Sequence, residues 1–302
     1  MITKKPFNKD IIFYAVMLAF PVLQFCIFYI GVNGRSLLYA FQEIDVTGKA
    51  TFSLTPLTNA FNNFFTPTMG GRFLMSFLAF GLTYFIGTVL ALFFSYFVFK
   101  KLPLSSMFKV FLFIPSIISG IILATLFNYF VEEGLPAYAQ SILHIKISGL
   151  LSGNLWVKFG VIVLYNILMG FGTSVLMYSN AMSGISTEVV EAAKIDGCNQ
   201  LREFWHIILP GIFPTITTFA ITSVAAIFVN QLSLFSFFSS GAETEIQTIG
   251  YYLYIETLSA SKANQESAYP LLCAYGMILS AIAIPVTMLT KHFLEKYGPS
   301  ER

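Results

Sequence analysis

Six long apolar runs constrain the fold of this chain more than any other feature of its sequence. A helix crosses the hydrocarbon core of a bilayer with about 20 apolar residues, and each run reaches that length. The fifth run is the least uniform, because Asn230 and Gln231 interrupt it. The sequence therefore predicts an all-α, polytopic integral membrane protein with six transmembrane helices, at roughly residues 11–32, 73–99, 108–130, 156–179, 212–238 and 269–290.

The composition agrees with exposure to lipid and argues against two other classes of protein. Hydrophobic residues make up 56% of the chain and charged residues only 11%, too few to cover a soluble domain of this size. The net charge is +2, and no basic cluster alternates with aromatic residues, so no nucleic-acid partner is predicted. Three cysteines without a CxxC pair indicate neither a disulfide framework nor a metal site.

The distribution of lysine and arginine predicts the orientation in the membrane, because cytoplasmic segments carry an excess of both. One set of segments, which includes both termini and the loop at 180–211, holds eleven of the 17 basic residues: Lys4, Lys5, Lys9, Lys100, Lys101, Lys109, Lys194, Arg202, Lys291, Lys296 and Arg302. The opposite segments hold six: Arg35, Lys49, Arg72, Lys146, Lys158 and Lys262. We therefore predict a multi-pass protein of the cytoplasmic membrane with both termini in the cytoplasm, and a first run retained as a signal-anchor helix.

The longest loop predicted to face the cytoplasm, residues 183–210, has the pattern of two short helices joined by a tight turn. Gly197 is placed to end the first helix in the left-handed conformation. Asn199 is placed to cap a second helix, which we expect to end before Pro210. We call residues 183–210 the elbow. Its small side chains at Ala192 and Ala193 would let a soluble partner come close and move the two adjoining spans.

The spacing within the elbow resembles the EAA loop of type I binding-protein-dependent permeases. That pattern is Glu-Ala-Ala, three residues, Gly, nine residues, Ile, one residue and Leu-Pro. The chain matches it at Glu191, Ala192, Ala193, Gly197, Ile207, Leu209 and Pro210, and Asp196 fits the sugar-importer branch. The additional first span and the segment near 33–72 resemble the larger permease of maltose-type systems.

The resemblance implies a type I ABC importer permease fold, with a first span and outer loop at 1–71, a family core at 72–291 and a cytoplasmic tail at 292–302. It implies four kinds of partner: two cytoplasmic ATPase subunits, a second homologous permease, an extracellular or periplasmic solute-binding protein and the lipid bilayer. The elbow would dock on an ATPase, with Glu191 making the polar contact. The chain contains no GxxxxGK[ST] motif, so we expect no catalytic residue and no cofactor here, and ATP with Mg on the partner subunits.

The six runs contain no Asp, Glu, Arg or His, the groups that usually mark ion or proton pathways in membranes. Their absence favours a neutral, hydroxylated solute and argues against proton coupling. Amide and phenol side chains at a similar predicted depth are candidates for binding sugar hydroxyls: Tyr165, Asn166, Asn230, Gln231 and Tyr275. The same amides could instead tie helices together.

The main prediction is a permease that moves a sugar or oligosaccharide, delivered by a binding protein, by ATP-driven alternating access. One alternative is the same family importing a polyol or a glycerol-phosphate-like solute, although a phosphate would favour Arg or Lys in the cavity. A secondary transporter would show inverted repeats and membrane-buried charges. A membrane enzyme would need a catalytic constellation at membrane depth. The sequence shows neither of these last two patterns.

Overall fold

The computed structural model describes residues 9–45 and 48–299. Fifteen α-helices and a small hairpin occur in this part of the chain. In order they are α1 (Lys9–Gln24), α2 (Val32–Tyr39), β1 (Gln42–Ile44), β2 (Ala50–Phe52), α3 (Thr55–Phe64), α4 (Pro67–Phe99), α5 (Ser105–Ile117), α6 (Gly120–Tyr129), α7 (Leu135–Ile142), α8 (Leu155–Ser183), α9 (Thr187–Ile195), α10 (Gln200–Glu203), α11 (Leu209–Gly211), α12 (Phe213–Ala225), α13 (Leu234–Phe238), α14 (Ile249–Lys262) and α15 (Tyr269–Tyr297).

Within the described residues, four helical stretches are long and apolar enough to cross a membrane. They are Phe13–Tyr39, Pro67–Phe99, Leu155–Ser183 and Glu266–Tyr297. Two bent pairs bring the number to six if each pair is one span: Ser105–Ile117 with Gly120–Ile142, bent by 101°, and Gln200–Gly211 with Phe213–Ala225, bent by 63°. The predicted polytopic, all-α architecture is confirmed, with one antiparallel hairpin added, in which Gln42 pairs with Phe52.

Two of the predicted spans are not continuous helices: the third bends by 101° between Ile117 and Gly120, and in the fifth α12 ends at Ala225 and α13 begins only at Leu234. Leu232 and Ser233 between them have left-handed backbones, with φ of 51° and 56°. The Asn230 side chain accepts a hydrogen bond from the Leu232 backbone N–H at 2.8 Å. Such local side-chain bonds compete with the helical ladder, which accounts for the break.

The described residues form two groups by contact, one of 9–45 and 48–64 with 256–279 and one of 65–255 with 280–299. In the second group, α4 and α8 pack closely through small side chains. Ala91 and Ser95 are fully buried, and the Ser95 hydroxyl donates to the Val175 carbonyl at 2.9 Å. Small residues let membrane helices approach this closely. We call α4 and α8 the frame helices, because the elbow and the fifth run pack against them.

The elbow forms within the second group and has most of its predicted shape. Gly197 has a φ of 77°, and the Asn199 Oδ1 accepts from the Arg202 backbone N–H at 2.9 Å, as an N-cap does. Both predictions are confirmed. The second helix does not end before Pro210, however, but continues to Gly211. A wider π-helical turn at Phe204–Ile208 precedes this proline, which lacks a backbone donor and crowds the preceding turn of a helix.

Candidate functional site

The outer surface of the elbow is exposed and mixes charged with apolar side chains. Glu191, Ala192, Asp196 and Gly197 are all exposed, and Ala193 is half-buried. Large apolar side chains lie open beside them, and their exposed fractions are 50% for Val189, 87% for Ile195 and 66% for Leu201. Apolar side chains that project from a loop among charges are typical of a protein-binding surface.

The inner surface of the elbow is buried in an apolar cluster with the frame helices. Val190, Phe204 and Ile208 pack there with side chains of α4, α8 and α12. Ile207, Leu209 and Pro210 are partly buried where the elbow continues toward α12. The inner surface of the elbow is therefore packed against the helices, and its outer surface is exposed.

A cavity of about 260 Å³ lies among α4, α8 and the fifth run. Aromatic rings and glycines form much of its wall. Its hydroxyl and amide side chains come from all three segments: Thr83, Tyr84, Thr88, Asn166, Ser174, Tyr178, Ser223 and Asn230. Among the described residues that line it, none is Asp, Glu, Lys, Arg or His. The chemistry of this wall suits a neutral solute with hydroxyl groups, because hydroxyls and amides both donate and accept hydrogen bonds.

Helical spacing explains how these residues meet. On α8 the lining positions Asn166, Gly170, Ser174 and Tyr178 are each four residues apart. Residues at that spacing lie on one face of a helix. An added Cβ at Gly170 would meet no atom within 4 Å, so this glycine leaves the cavity open.

Two of the five predicted solute-binding residues, Asn166 and Asn230, line the cavity. The Asn166 amide also holds the break in the fifth run. Its Nδ2 donates to the Leu232 carbonyl at 3.1 Å, and its Oδ1 accepts from the Ser233 hydroxyl at 2.9 Å. These contacts agree with the alternative interpretation, in which the amide ties helices together.

The other three candidates lie elsewhere. Tyr165 is 3% exposed in the apolar core, where its ring packs on Phe237 and its hydroxyl donates to the Gly120 carbonyl at 3.2 Å. Gln231 is half-buried and is not among the residues that line the cavity. Tyr275 belongs to the first contact group, where its hydroxyl accepts from Asn63 at 2.9 Å. Their roles in solute binding stay predictions.

Sequence reasoning missed the hydroxyl residues of the cavity, although a signal for them exists. On α4 the lining residues form two pairs at a spacing of four, Thr83 with Gly87 and Tyr84 with Thr88, and Phe219 and Ser223 on α12 have the same spacing. Serine and threonine are common in membrane helices, so only the combination of stripes on three segments marks a cavity. Among residues 9–45 and 48–299, no group of three or more His, Cys, Asp or Glu forms a potential metal site.

Comparison with known proteins agrees with this arrangement. The model of the family described as binding-protein-dependent transport system inner membrane component matches residues 83–297. A solved bacterial alginate ABC transporter, in complex with an alginate pentasaccharide-bound periplasmic protein, has a chain of the same fold. Its TM-score is 0.78 at 15% identity, over 96% of each chain.

Two curated relatives differ in how much of the chain they match. The probable starch degradation products transport system permease protein AmyC of Thermoanaerobacterium thermosulfurigenes is 41% identical over 24% of this chain, and the match spans 26% of its own length. The sn-glycerol-3-phosphate transport system permease protein UgpA of Yersinia pestis is 22% identical over 93% of both. The family match covers well over half of the chain, which therefore belongs to the inner membrane components of binding-protein-dependent transport systems.

Proposed function

We propose that this chain is the permease subunit of an ATP-binding-cassette importer that takes up a neutral sugar or oligosaccharide from an extracellular binding protein. The observation that carries this proposal is the exposed elbow, in which Glu191, Ala192 and Gly197 lie open at the family's spacing. In this proposal, two ATPase subunits hydrolyse ATP and one of them binds the elbow. A second permease completes the pathway for the solute.

The mechanism follows from what lies on either side of the elbow. A soluble subunit that binds Ile195 and Leu201 buries apolar surface, which stabilises the contact. Glu191 adds a polar contact on the same exposed surface. Since the inner surface of the elbow packs against α4, α8 and α12, displacement by the partner reaches the helices that line the cavity. The permeases then alternate between inward-open and outward-open states.

The orientation of this mechanism is part of the proposal. The elbow and both termini would face the cytoplasm, as the excess of lysine and arginine in those segments predicts. The ATPase subunits would then reach the elbow, while the binding protein delivers solute to the opposite side. ATP and Mg would be bound by the ATPase subunits.

The cavity favours a neutral solute over a phosphorylated one. UgpA, named for glycerol-3-phosphate transport, matches nearly the whole chain, so a phosphorylated solute is the second candidate. A phosphate dianion in a membrane cavity needs cationic partners. The described residues that line the cavity of this chain include no lysine or arginine. Hydroxyls and amides on three segments instead match the donors and acceptors of a sugar.

Co-expression of the chain with the ATPase, second permease and binding protein encoded beside it tests the proposal. The complex is purified through a tag on this chain, and the binding protein is screened against neutral oligosaccharides, polyols and glycerol phosphates. We expect the ATPase and second permease to co-purify, and the binding protein to select a neutral saccharide. An ATPase that never co-purifies would overturn the importer proposal, and selection of a phosphorylated solute would overturn its substrate class.

A further inference from the structure

An ion pair joins the elbow to a helix that is remote from it in sequence. The Lys100 Nζ contacts the Glu203 Oε1 across 103 positions of the chain. Lys100 follows the last residue of α4, and Glu203 ends α10 within the elbow. The Glu203 side chain is 3% exposed and that of Lys100 is 15% exposed, so the carboxylate is buried and the ammonium is partly buried.

The surroundings of the pair bind the same two elements together. The Tyr96 hydroxyl, one turn earlier on α4, donates to the Gln200 carbonyl at 3.2 Å. The Tyr96 ring meets the Phe204 ring edge to face at 5.3 Å. The Lys100 ammonium lies 5.4 Å from the centre of the Tyr96 ring, within the range of a cation–π interaction.

A buried ion pair is by itself weak evidence of a stabilising role. The cost of removing two charges from water can exceed their attraction, and apolar side chains of similar volume often stabilise a protein equally well. An ion pair differs from apolar packing because it depends strongly on distance and on the identity of both partners. It therefore fixes the position of one element relative to another.

The connectivity of the cavity shows what that position would control. Three segments line the cavity, and the elbow is joined directly along the chain to two of them, α8 and the fifth run. The third, α4, lies far away in sequence and meets the elbow through the apolar cluster around Phe204 and through the polar contacts of Lys100 and Tyr96. Thr88 on the cavity wall is twelve residues from Lys100, or about 18 Å along the helix.

We propose that Lys100 and Glu203 are positioning residues that transmit displacement of the elbow to α4, so that all three walls of the cavity move with the ATPase. This inference rests on the proposed function, since it assigns the direction of force to a partner at the elbow. The pair adds a charged contact to the apolar packing that already joins the elbow to α4. Without it, the elbow would still bind its partner but would move α4 less.

The test compares variants of the complete importer reconstituted in liposomes with its ATPase, second permease and binding protein. Lys100→Met and Glu203→Gln each leave one charge of the pair without its partner. Lys100→Met with Glu203→Met removes both charges, and Lys100→Glu with Glu203→Lys exchanges them. Lys291→Met is the matched control, because Lys291 forms an exposed pair with Glu295 at 3.8 Å.

The deciding readout is the number of solute molecules taken up per ATP hydrolysed, measured on complexes that co-purify at the wild-type level. We expect each single variant to lower this ratio about three- to tenfold, in the range by which coupling positions alter a transition. The exchanged pair should recover most of the loss, and the control should match the wild type. Wild-type ratios in assembled single variants would overturn the proposal.

Where a single variant fails to assemble, the double methionine variant decides, because it buries no unpaired charge. A wild-type ratio there would show that the pair only stabilises the fold, and a lowered ratio would support the proposal. The elbow variant Glu191→Lys separates this inference from the proposed function. If Glu191→Lys abolishes uptake and the Lys100 and Glu203 variants do not alter the ratio, only this inference fails. If Glu191→Lys has no effect, the proposed function fails as well.

Discussion

The turn in the elbow and the break in the fifth run both leave the α-helix through left-handed backbone, but they are held in different ways. In the elbow the left-handed residue is Gly197, which is exposed and adopts this conformation without strain. In the break the residues are Leu232 and Ser233, which need support from Asn166 and Asn230. The turn of the elbow thus depends on local residues alone, whereas the break depends on a local bond from Asn230 and on contacts from Asn166 on α8.

This difference matters for function. A turn that needs no support from other helices would move as one unit when a partner displaces it, as the proposed coupling role requires. A backbone held by side chains of another helix changes shape when that helix moves, which suits the wall of a cavity that opens and closes. Four substitutions test how the turn and the break are held in place, and the first should reduce uptake most.

Replacing Gly197 by proline should reduce uptake to about 1% of the wild-type rate or less. Proline fixes φ at about −65°, whereas the turn needs a positive φ. The turn is exposed, so the subunit should still reach the membrane. Uptake by cells and the amount of subunit in the membrane fraction measure the two effects. Gly160→Ala is the control, since an added Cβ there meets no atom within 4 Å. Uptake at the wild-type rate in Gly197→Pro would contradict the role of the turn.

Reversing the charge of Glu191 tests the exposed surface of the elbow without changing its backbone. Loss of a charged contact that a partner buries costs about 2–5 kcal/mol, so Glu191→Lys should lower uptake by more than about tenfold. ATPase recovery with the tagged chain should fall in parallel. Glu295→Lys, at another exposed carboxylate, is the control. Equal ATPase recovery from Glu191→Lys and wild type would count against docking at this site.

Filling the cavity tests whether its space carries the solute. Gly170→Leu places a side chain in the cavity, where it would conflict with the passing solute. A conflict of about 1–3 kcal/mol should lower the uptake rate by about tenfold. The matched control is Gly160→Leu, on the same helix and exposed, away from the cavity. ATPase co-purification should be normal in both variants. Equal uptake in the two would show that solute passes elsewhere.

Replacing Asn166 by leucine tests whether this side chain stabilises the break. Of the four substitutions it should reduce uptake least, and its main effect should be on stability. It removes the donor to the Leu232 carbonyl and the acceptor for the Ser233 hydroxyl. Loss of partners for buried polar groups costs about 1–3 kcal/mol, so the melting temperature in detergent should fall. Ser174→Ala, on the same lining face, is the control. An unchanged melting temperature in Asn166→Leu would mean that the break supports itself.

The sequence predicted the elbow well because its signals are local. Gly197 and Asn199 act within a few residues of themselves, and the Glu-Ala-Ala to Leu-Pro spacing lies in a single loop. The continuation through Pro210 was missed because a π-helical turn has no simple sequence signal. The approximate positions of the apolar segments also followed from length and hydropathy, but the bends in the third and fifth runs did not.

The break and the cavity could not be predicted in the same way. Leu232 has no intrinsic preference for left-handed backbone, and its conformation depends on Asn166, which is 66 positions away. The sequence singled out Asn166 and Asn230 as polar residues in apolar runs but did not show which atoms they bind. Tyr165 carried the same signal and lies in the core instead. Polarity at a shared depth marks candidates, and only packing decides among them.

Uptake by liposomes that contain this chain with its second permease and ATPase shows whether the complex is an ATP-driven importer. With binding protein and solute outside and ATP inside, we expect the solute to accumulate against its gradient. Accumulation should stop when ATP or the binding protein is left out, or when Glu191 is replaced by lysine. Transport of the solute by this chain alone, without ATP, would contradict it.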